Sequence, residues 1–512
     1  MEFNIPSTLI PLIPFLLFLF LFIFLKSQTI SKSAKSYSHI PGPKPLPLIG
    51  NLHLMLRASS SAHRLFRSLA AKHGPLMHLQ LGELHFLIVS SVDFAKQVMR
   101  THDANFANRP TLLVSEELSY SSTGVGSSPY GAYWRQLRKI CSAELLSAKR
   151  VQSFRSIREE ESTNMCEWIA SRDGSPIDLS ERLYLAMYDI TSRAAVKAKT
   201  GEREAMVSIV VEYLKLASGF MMVDLYPSIK LLPLISGAWI KIRRLRRKSD
   251  EVLNGIIENH RAAANSDDAD DDAKFEGFLD ILLKFEKDGT ITTDNIKAVL
   301  LDMFLGGTDT STATLEWAMS EMIRNPTTLN KAQQEVRKVF DDKGYIDEEK
   351  LDELKYLKLI IKETLRLRPA LPLLVPRMSS QRCEINGYEI PAGTRVMVNG
   401  WGLGRDPEYW NDAEKFIPER FEGSEHDFNG SNLEYVPFGA GRRICPGMLF
   451  GLANVELPLA MLLYHFDWKM PNGMNHEELD MTEGIGATVN RKHHLRLIPV
   501  VKRPLRAGAL LI

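Results

Sequence analysis

The feature that most constrains this 512-residue chain is a glycine- and arginine-rich segment, FGAGRRICPG at residues 438–447, which ends directly before an apolar stretch at residues 448–463. The pattern predicts a helix over the apolar stretch, with Pro446 at its first position and Cys445 just before it. The partial positive charge of a helix N-terminus and backbone N–H groups freed by glycine both favour a thiolate over a thiol. The segment therefore predicts that Cys445 is a metal ligand or a nucleophile.

Other interpretations of Cys445 can be weighed from the residues around it. A nucleophile needs a histidine base and an orienting group, but the nearest downstream histidine, His465, stands in no such pattern. A dinucleotide-binding loop would need its third glycine where Ile444 stands. The ligand interpretation is favoured, and a packed structural cysteine stays open.

Composition excludes several classes of protein. The chain has 63 basic and 62 acidic residues, and a net charge of +1 does not provide the strongly basic face that a nucleic-acid partner requires. Its four cysteines form no C-x-x-C pair, which argues against a disulfide framework and a tetrahedral zinc site. With 45% hydrophobic and 24% charged residues, the chain has a globular composition, and we expect no nucleic-acid partner.

The N-terminus carries an apolar run. Residues 9–25 are all apolar or proline, close to the ~20 residues that cross a bilayer core, so we predict a single-pass transmembrane anchor at residues 1–26. Lys26, Lys32 and Lys35 follow the run, and the positive-inside rule then places the rest of the chain in the cytosol. A cleaved signal peptide is the alternative, but a basic region before the run and a clear cleavage site directly after it are lacking.

Residues 27–50 are predicted to be a linker and hinge. Four prolines fall within residues 41–47, and their fixed φ angles stiffen the backbone into a semi-rigid spacer. Residues 51–512 are predicted to form one mainly helical domain. Short strands are expected at residues 76–81, 86–89 and 395–399. Residues 241–248 hold six basic side chains, which fit either an anionic lipid surface or a solvated helix face.

A long helix is predicted over residues 293–324, capped by Thr292 or Thr293 and stopped by Pro326. Its middle contains two adjacent glycines, each of which costs ~1 kcal/mol relative to alanine in a helix interior. Four polar residues follow them: Thr308, Asp309, Thr310 and Ser311. Either the glycines permit a widening or close approach that function needs, or the hydroxyls bond back to helix carbonyls while Asp309 faces water.

The Cys445 segment has a counterpart in a known family. Six of its positions, in the pattern F-x-x-G-x-R-x-C-x-G, resemble the haem-binding loop of the cytochrome P450 monooxygenases. The resemblance implies a mainly α fold with small β-sheets (α+β), the cytochrome P450 fold, behind the N-terminal single-pass membrane anchor. It also implies haem b, iron protoporphyrin IX, as the cofactor and Cys445 as its axial metal ligand. The cofactor-binding residues expected in this loop also include Phe438, Gly441, Arg443 and Gly447.

A second segment resembles the part of the family that binds a haem propionate. Trp134 and Arg138 are one helical turn apart, so that an indole N–H and a guanidinium can point together at an anion. The resemblance adds Arg443 and Arg377 to this group. The neighbouring basic residues at positions 135 and 139 form a solvated face or a docking surface for an acidic reductase.

A third resemblance concerns a Glu-Arg-Arg triad. Glu363 and Arg366 stand three residues apart on one helical face, and Arg420 follows within a later segment. Alone, such a pair is most often a surface ion pair worth ~0.2 to 1 kcal/mol. In the family the triad is structural, and it is expected to hold the cysteine loop in place.

The glycine pair resembles the oxygen-activation segment of the family, in which a widened helix leaves room for O2. By this resemblance Asp309 and Thr310 are the catalytic residues that deliver protons to dioxygen. The resemblance also supplies the substrate-facing segments, which lie near residues 120–126, 220–225, 304–307, 371–375 and 485–488. The expected pocket residues are Phe304, Gly306, Gly307, Leu371, Leu373, Ile485 and Gly486. These walls are mostly aliphatic and small, which favours an apolar substrate without identifying it.

The resemblance, which extends from the anchor to about Pro499 and is strongest to plant microsomal members, implies a membrane-bound haem-thiolate monooxygenase. It would use O2 and electrons from NADPH, supplied by a cytochrome reductase, to oxidise a small apolar specialised metabolite such as a terpenoid. The expected location is the endoplasmic reticulum membrane, with the catalytic domain in the cytosol and membrane lipid as a further partner. Arg368, where many relatives have histidine, and Gly306, where alanine is commoner, depart from the family pattern.

Several alternatives remain open at this point. The substrate could be a phenylpropanoid, an aldoxime or an alkaloid. A non-oxygenating relative, an isomerase or dehydratase, would need no reductase, although Asp309 and Thr310 argue against it. A haem-binding sensor or carrier, from a different class, would need neither a proton-delivery pair nor a widened helix. Consumption of NADPH in proportion to product separates these functions.

Overall fold

The computed structural model describes residues 36–57, 61–197, 201–217, 220–264 and 275–505. The predicted anchor at residues 1–26 and the first part of the linker lie outside the described residues. The described hinge begins in a turn, and the His78 N–H donates to the Pro41 carbonyl at 2.8 Å, which attaches the proline-rich segment to the domain.

The described chain is mainly helical, as predicted. The α-helices are Leu52–Arg57, Ala62–His73, Val92–Lys96, Leu113–Leu118, Ala132–Ile140, Ala148–Ser153, Arg155–Ala170, Leu179–Val196, Arg203–Leu216, Met222–Leu225, Leu232–Ile235, Ala238–Ala264, Phe278–Lys287, Thr293–Phe304, Thr310–Arg324, Pro326–Phe340, Lys355–Leu367, Gly400–Leu403 and Met448–His465. Segments of π-helix lie at Gln97–Thr101, Cys141–Leu145 and Leu305–Asp309. Segments of 3-10 helix lie at Glu348–Glu353, Pro418–Phe421, Gly441–Arg443, Pro471–Gly473 and His476–Glu478.

The sheets are small. The strands are β1 Leu76–Leu81, β2 Leu84–Val89, β3 Ile177–Asp178, β4 Arg377–Met378, β5 Cys383–Ile385, β6 Tyr388–Ile390, β7 Arg395–Val398, β8 Phe466–Lys469 and β9 Arg496–Val501. One sheet has the order β1-β2-β7-β4, in which the β2–β7 pair is parallel and the other pairs are antiparallel. A second has the order β3-β9-β8, and β5 pairs with β6. The expected strands are present, with ends within two residues of the predicted ones.

The predicted long helix is present and crosses the core. Thr292 accepts a hydrogen bond from the Asn295 N–H, as a capping residue should, and the helix stops at Arg324 before Pro326 begins the next one. The π-helical turn Leu305–Asp309 interrupts it at the two glycines. A π-turn adds a residue to the helical turn, so the helix is locally widened where the sequence predicted it.

The helix Met448–His465 follows the cysteine loop into the core. Within the described part of the chain it is the one helix that is long and apolar enough to cross a membrane, but two thirds of it is buried inside the protein. It packs against Thr310–Arg324 and Arg155–Ala170. It is therefore a core helix, and it holds the preceding loop against the centre of the molecule.

Candidate functional site

The loop around Cys445 depends on a glycine in left-handed backbone conformation. Gly441 has φ of +70°, and a Cβ there would collide with the Met99 carbonyl and lie 2.7 Å from Asp103 Oδ1. Asp103 Oδ2 accepts the Arg442 N–H at 2.8 Å. The loop is thereby attached to the segment that follows the π-helix Gln97–Thr101.

Cys445 itself is held by its own loop. Its N–H donates to the Phe438 carbonyl at 2.9 Å, which closes the turn. The helix begins at Met448, three residues after the cysteine, so Pro446 is not at its first position as expected, because residues 446–447 form a turn. Burial raises the pKa of the Cys445 thiol, and a hydrogen bond from the Gly447 N–H and the charge of Arg138 oppose that rise. A bound metal cation would favour the thiolate further.

Two buried arginines contact this loop and the segments beside it. Arg443 donates to the carbonyls of Ala107 and Ser128, both at 2.6 Å, and lies over the Trp134 ring at 4.1 Å. Arg377 donates to Asp103 Oδ1 at 2.9 Å and to the Ala440 carbonyl at 2.6 Å. The structure thus places Arg377, Arg443 and Trp134 beside the cysteine loop.

The charges of this cluster are poorly balanced. Burial lowers the pKa of Arg109, Arg138, Arg377 and Arg443, that of Arg443 to about 9. Repulsion from neighbouring arginines also lowers the pKa of Arg109 and Arg443. Asp103 raises the pKa of Arg377 and Arg443 and so offsets part of the decrease. Buried cations need a counter-charge, so the cluster suits an anionic ligand with more than one carboxylate.

Trp134 is oriented differently from what the helical spacing suggests. Its Nε1 donates to the Val125 carbonyl at 3.0 Å, and Arg443 Nη1 donates to the same oxygen at 3.3 Å. The indole N–H already has an acceptor, so it would bind an anion only by leaving or sharing this bond. Its contact with a propionate stays a prediction.

The two glycines of the π-turn have different surroundings. A Cβ on Gly307 would lie 2.9 Å from Thr191 Oγ1 and 3.2 Å from the Phe450 ring, so glycine permits the close approach of two neighbouring helices. A Cβ on Gly306 would meet no atom within 4 Å, and this residue is exposed. The family's more usual alanine would therefore fit at position 306 without steric conflict.

The polar residues after the glycines fit the interpretation of an ordinary helix at Thr310 but not at Asp309. The Thr310 hydroxyl donates to the Gly306 carbonyl at 2.6 Å, which is the back-bonding expected of an ordinary helix. Asp309, however, does not face water. It is 5% exposed, its Oδ1 accepts from Asn490 Nδ2 at 3.3 Å, Thr488 is a second hydrogen-bond partner, and burial raises its pKa.

The Glu-Arg-Arg triad is assembled, with Glu363 and Arg366 fully buried and the Arg420 side chain 10% exposed. Glu363 Oε2 accepts from Arg366 Nε at 2.7 Å, and its Oε1 accepts from Arg420 Nε at 3.0 Å. Glu363 Oε1 also accepts the Ile417 N–H at 2.8 Å. Tyr435, three residues before the cysteine loop, donates to the Lys362 carbonyl at 3.0 Å. The triad therefore lies against the segment that leads into the loop.

The expected pocket residues differ in their exposure. The Phe304 side chain is fully buried and stacks on Tyr188 with the ring centroids 5.7 Å apart, and its place in the pocket wall stays a prediction. Ile485 is 99% exposed and Gly486 is also exposed, so neither encloses a cavity in this structure. The residues that stay partly accessible are Gly306, Leu371 and Leu373, whereas Gly307 is buried.

The chain is similar to known proteins in sequence and in fold. The sequence profile of the family described as cytochrome P450 matches residues 40–496. The chain belongs to the cytochrome P450 family. It is 50% identical over 469 residues to desmethyl-deoxy-podophyllotoxin synthase of Sinopodophyllum hexandrum, covering 91% of this chain and 92% of that protein. It is 49% identical to premnaspirodiene oxygenase of Hyoscyamus muticus, covering 91% and 93% respectively.

A solved structure of a zebra fish cytochrome P450 with abiraterone has the same fold. It aligns with a TM-score of 0.72 at 22% identity, covering 86% of this chain and 99% of that one. This P450 fold is mainly helical with small sheets, as predicted. The chain is a P450 monooxygenase, an oxidoreductase, and its relatives are plant enzymes of specialised metabolism.

Cytochromes P450 contain haem iron, and the residues present suit that group. Cys445 offers a thiol at the end of the loop that could bind the iron, and the buried arginines carry positive charge of the kind that two propionates require. Sequence reasoning missed Arg109, which donates to the Val375 carbonyl at 2.7 Å and to the Pro376 carbonyl at 2.8 Å. An isolated arginine gives no local signal, since its role comes from burial beside the others.

Proposed function

We propose that this P450 takes electrons from NADPH through a cytochrome reductase and oxidises a small apolar plant metabolite, with a terpenoid as the first class to test. The observation that carries the proposal is the juxtaposition of Cys445, a buried arginine cluster and a widened helix with an accessible glycine. The names of the two relatives refer to different compounds, so they support the reaction class more strongly than any one substrate.

The haem, when bound, supplies O2 binding, one-electron steps and transfer of an oxygen atom to the substrate. Cys445 would hold the iron, and the Gly447 N–H moderates the charge on its sulfur. Arg138, Arg377 and Arg443 would bind the two propionates. Phe438 and Gly441 shape the loop by the backbone contacts described above.

Thr310 and Asp309 would manage protons. The Thr310 hydroxyl bonds to the carbonyl of Gly306, four residues earlier, and rotation about its χ1 bond would free it to donate elsewhere. Asp309 is buried, and burial raises its pKa, which favours retention of a proton closer to neutral pH. Asn490 and Thr488 hold its carboxyl in one orientation.

The accessible walls support an apolar substrate. Leu371, Leu373 and Val375 are aliphatic and partly accessible or exposed, and Gly306 leaves open space beside the π-turn. Apolar contacts discriminate by only ~1 to 3 kcal/mol per methylene, so shape rather than a charged contact would select the substrate.

Membrane attachment is supported by an exposed apolar patch next to the basic run. Leu231, Leu234, Ile235 and Ile240 are each more than 60% exposed, and residues 241–248 follow on the same helix as Ile240. Apolar side chains flanked by basic ones are typical of segments that lie on an anionic bilayer surface. We propose that this patch meets the endoplasmic reticulum membrane on its cytosolic side, beside the anchor at residues 1–26.

The orientation can be tested with a built-in reporter. Asn429 stands in an Asn-Gly-Ser sequence and is exposed, so it would be glycosylated if the domain were in the lumen. If the domain is cytosolic, glycosidase treatment of microsomes should not change the mass of the protein, and the protein should stay in the membrane after alkaline extraction. Glycosylation of Asn429 would show that the domain lies in the lumen instead.

The function is tested by the carbon monoxide difference spectrum of the reduced microsomal protein, compared with Cys445→Ser. The expected result is the red-shifted band of a thiolate-ligated haem, lost in the variant. Wild-type protein with that band is then assayed with terpenoids, reductase and NADPH. Product without NADPH consumption would indicate an isomerase or dehydratase, and haem without any turnover would favour a sensor or carrier.

A further inference from the structure

Asp302 makes a contact that the motifs above do not include. It lies in the helix Thr293–Phe304, one turn before the accessible Gly306. Its Oδ2 accepts the Gly126 N–H at 3.1 Å, and the Val125 N–H is a second backbone donor to the same carboxyl. These donors come from a loop 176 positions earlier in the sequence.

The loop is shaped to receive this carboxyl. A Cβ on Gly124 would lie only 2.5 Å from Asp302 Oδ2, so a larger residue there would displace the carboxyl or the loop. Gly126 also stands close, with its Cβ position 3.5 Å from Asp302 Oδ1. Two backbone donors and a glycine therefore form a concave seat for one carboxylate.

The Val125–Gly126 peptide, whose N–H faces Asp302, contacts the arginine cluster through its carbonyl. The Val125 carbonyl accepts from Trp134 Nε1 at 3.0 Å and from Arg443 Nη1 at 3.3 Å. The Gly126 carbonyl accepts from Arg109 Nε at 3.2 Å. The Val125–Gly126 peptide thus points its N–H to Asp302 and its carbonyl to Arg443, so its dipole is aligned between an anion and a cation, and the carbonyl of the next peptide contacts Arg109.

We infer that Asp302 is a positioning residue that holds residues 124–126 between the substrate side of the central helix and the arginines of the cofactor side. The inference rests on the proposed function, which identifies one side as the substrate side and the other as the cofactor side. Displacement of the loop would alter both the pocket wall and the hydrogen bonds of Arg443. Asp302 therefore acts through the loop and not on the reacting atoms.

The charge of Asp302 gives the contact a pH dependence. Burial raises the pKa of Asp302 to about 6, although the two backbone N–H bonds lower it in part. The groups that face it from neighbouring elements are Tyr133, Cys141 and Tyr213, and burial raises the pKa of all three, to about 12 for Tyr133 and Cys141. Arg109 and Arg443 lie across the peptides. Protonation of Asp302 below pH 6 would convert one acceptor oxygen into a hydroxyl and weaken the seat.

The test is amide hydrogen exchange over residues 119–128 in the full-length, haem-loaded enzyme, with Asp302→Asn and Asp302→Ala. At pH 7.5 both variants should exchange at least tenfold faster in this segment while the carbon monoxide band persists. When the pH is lowered from 7.5 to 5.5, exchange over residues 119–128 of the wild type should approach the rate of Asp302→Asn at the same pH. The exchange rate of Asp302→Asn should change only by the ordinary chemical pH dependence of amide exchange. With a turned-over substrate, KM or the ratio of products should change more than kcat.

Two controls separate the contact from general damage. Asp294→Asn removes a carboxylate from the first turn of the same helix, where the side chain is 60% exposed, and should leave exchange over residues 119–128 unchanged. Gly124→Ala should release the loop as Asp302→Asn does, and the double variant should add little to either. Wild-type exchange rates in both Asp302 variants would overturn the inference. Absence of the haem band from wild type would instead refute the proposed function, and exchange in folded protein would still test the seat.

Discussion

Arg368 donates from Nη1 to Glu483 Oε1 at 3.0 Å, and its Nε donates to Glu321 Oε1 at 2.8 Å. The residue that departs from the family pattern thus joins the central helix Thr310–Arg324 to the loop that precedes Ile485. Arg64 and His63 bind the same Glu483 carboxyl at 2.6 and 3.0 Å. Arginine at position 368 is therefore part of a buried charge network, and it is always charged, whereas a histidine would have to be protonated to donate to both carboxylates.

The first prediction concerns this network. Arg368→Gln should reduce the free energy of unfolding by about 3 kcal/mol, because the buried Glu321 carboxylate loses the arginine that it pairs with, whereas Glu483 keeps Arg64 and His63. Denaturant unfolding of the two proteins measures the difference. Arg382→Gln, which removes a pair with Glu389 whose arginine is 71% exposed, is the matched control and should change stability by less than about 1 kcal/mol. Equal effects in both variants would contradict a special role for Arg368.

The second prediction concerns Thr310. Thr310→Ala should keep NADPH oxidation but lower the product formed per NADPH by at least about tenfold, because a proton donor beside the π-turn is lost. Thr312→Ala removes a hydroxyl that bonds to the Thr308 carbonyl in the same helix and is the matched control. Both variants are compared by parallel assays of NADPH, peroxide and product. If Thr310→Ala and Thr312→Ala gave the same amount of product per NADPH, the effect would come from loss of any helix hydroxyl and not from Thr310 in particular.

The third prediction separates the two glycines. Gly307→Ala should destabilise the protein by about 1–3 kcal/mol, because its Cβ meets Thr191 and Phe450 at 2.9 and 3.2 Å. Gly306→Ala meets no atom within 4 Å and should leave stability unchanged or raise it by up to about 1 kcal/mol. Unfolding midpoints decide this, and Thr191→Ala should partly rescue Gly307→Ala. A larger loss at position 306 than at position 307 would contradict the packing observed.

The fourth prediction concerns the pH dependence of Asp309. Burial raises its pKa above the ordinary 3.8, so the folded protein binds this proton more tightly than the unfolded chain does. The resulting stability is complete below pH 3.8 and is lost as pH rises through the folded-state pKa. The stability of Asp309→Asn relative to wild type should therefore increase with pH over that range, as measured by thermal unfolding at successive pH values. A difference that decreases with rising pH would mean that Asp309 is stabilised as a carboxylate.

Local sequence determined several parts of this protein. The F-x-x-G-x-R-x-C-x-G pattern identified the loop of Cys445, and the positive φ of Gly441 explains why a glycine stands there. Thr292 and Pro326 marked the ends of the long helix, because capping and the missing proline N–H act over only a few residues. The adjacent glycines marked the place of the π-turn for the same reason.

Tertiary structure decided which side chains meet. Arg109, Arg138, Arg377 and Arg443 come from distant parts of the chain, and Asp302 meets Gly126 across 176 positions. The helix that carries Phe304 is apolar on the face that packs on Tyr188 as well as near the expected pocket, so composition could not say which partner the Phe304 ring contacts. Hydrophobicity and helix periodicity specify that a side chain is buried, whereas its partner depends on how separate elements pack, which no local pattern contains.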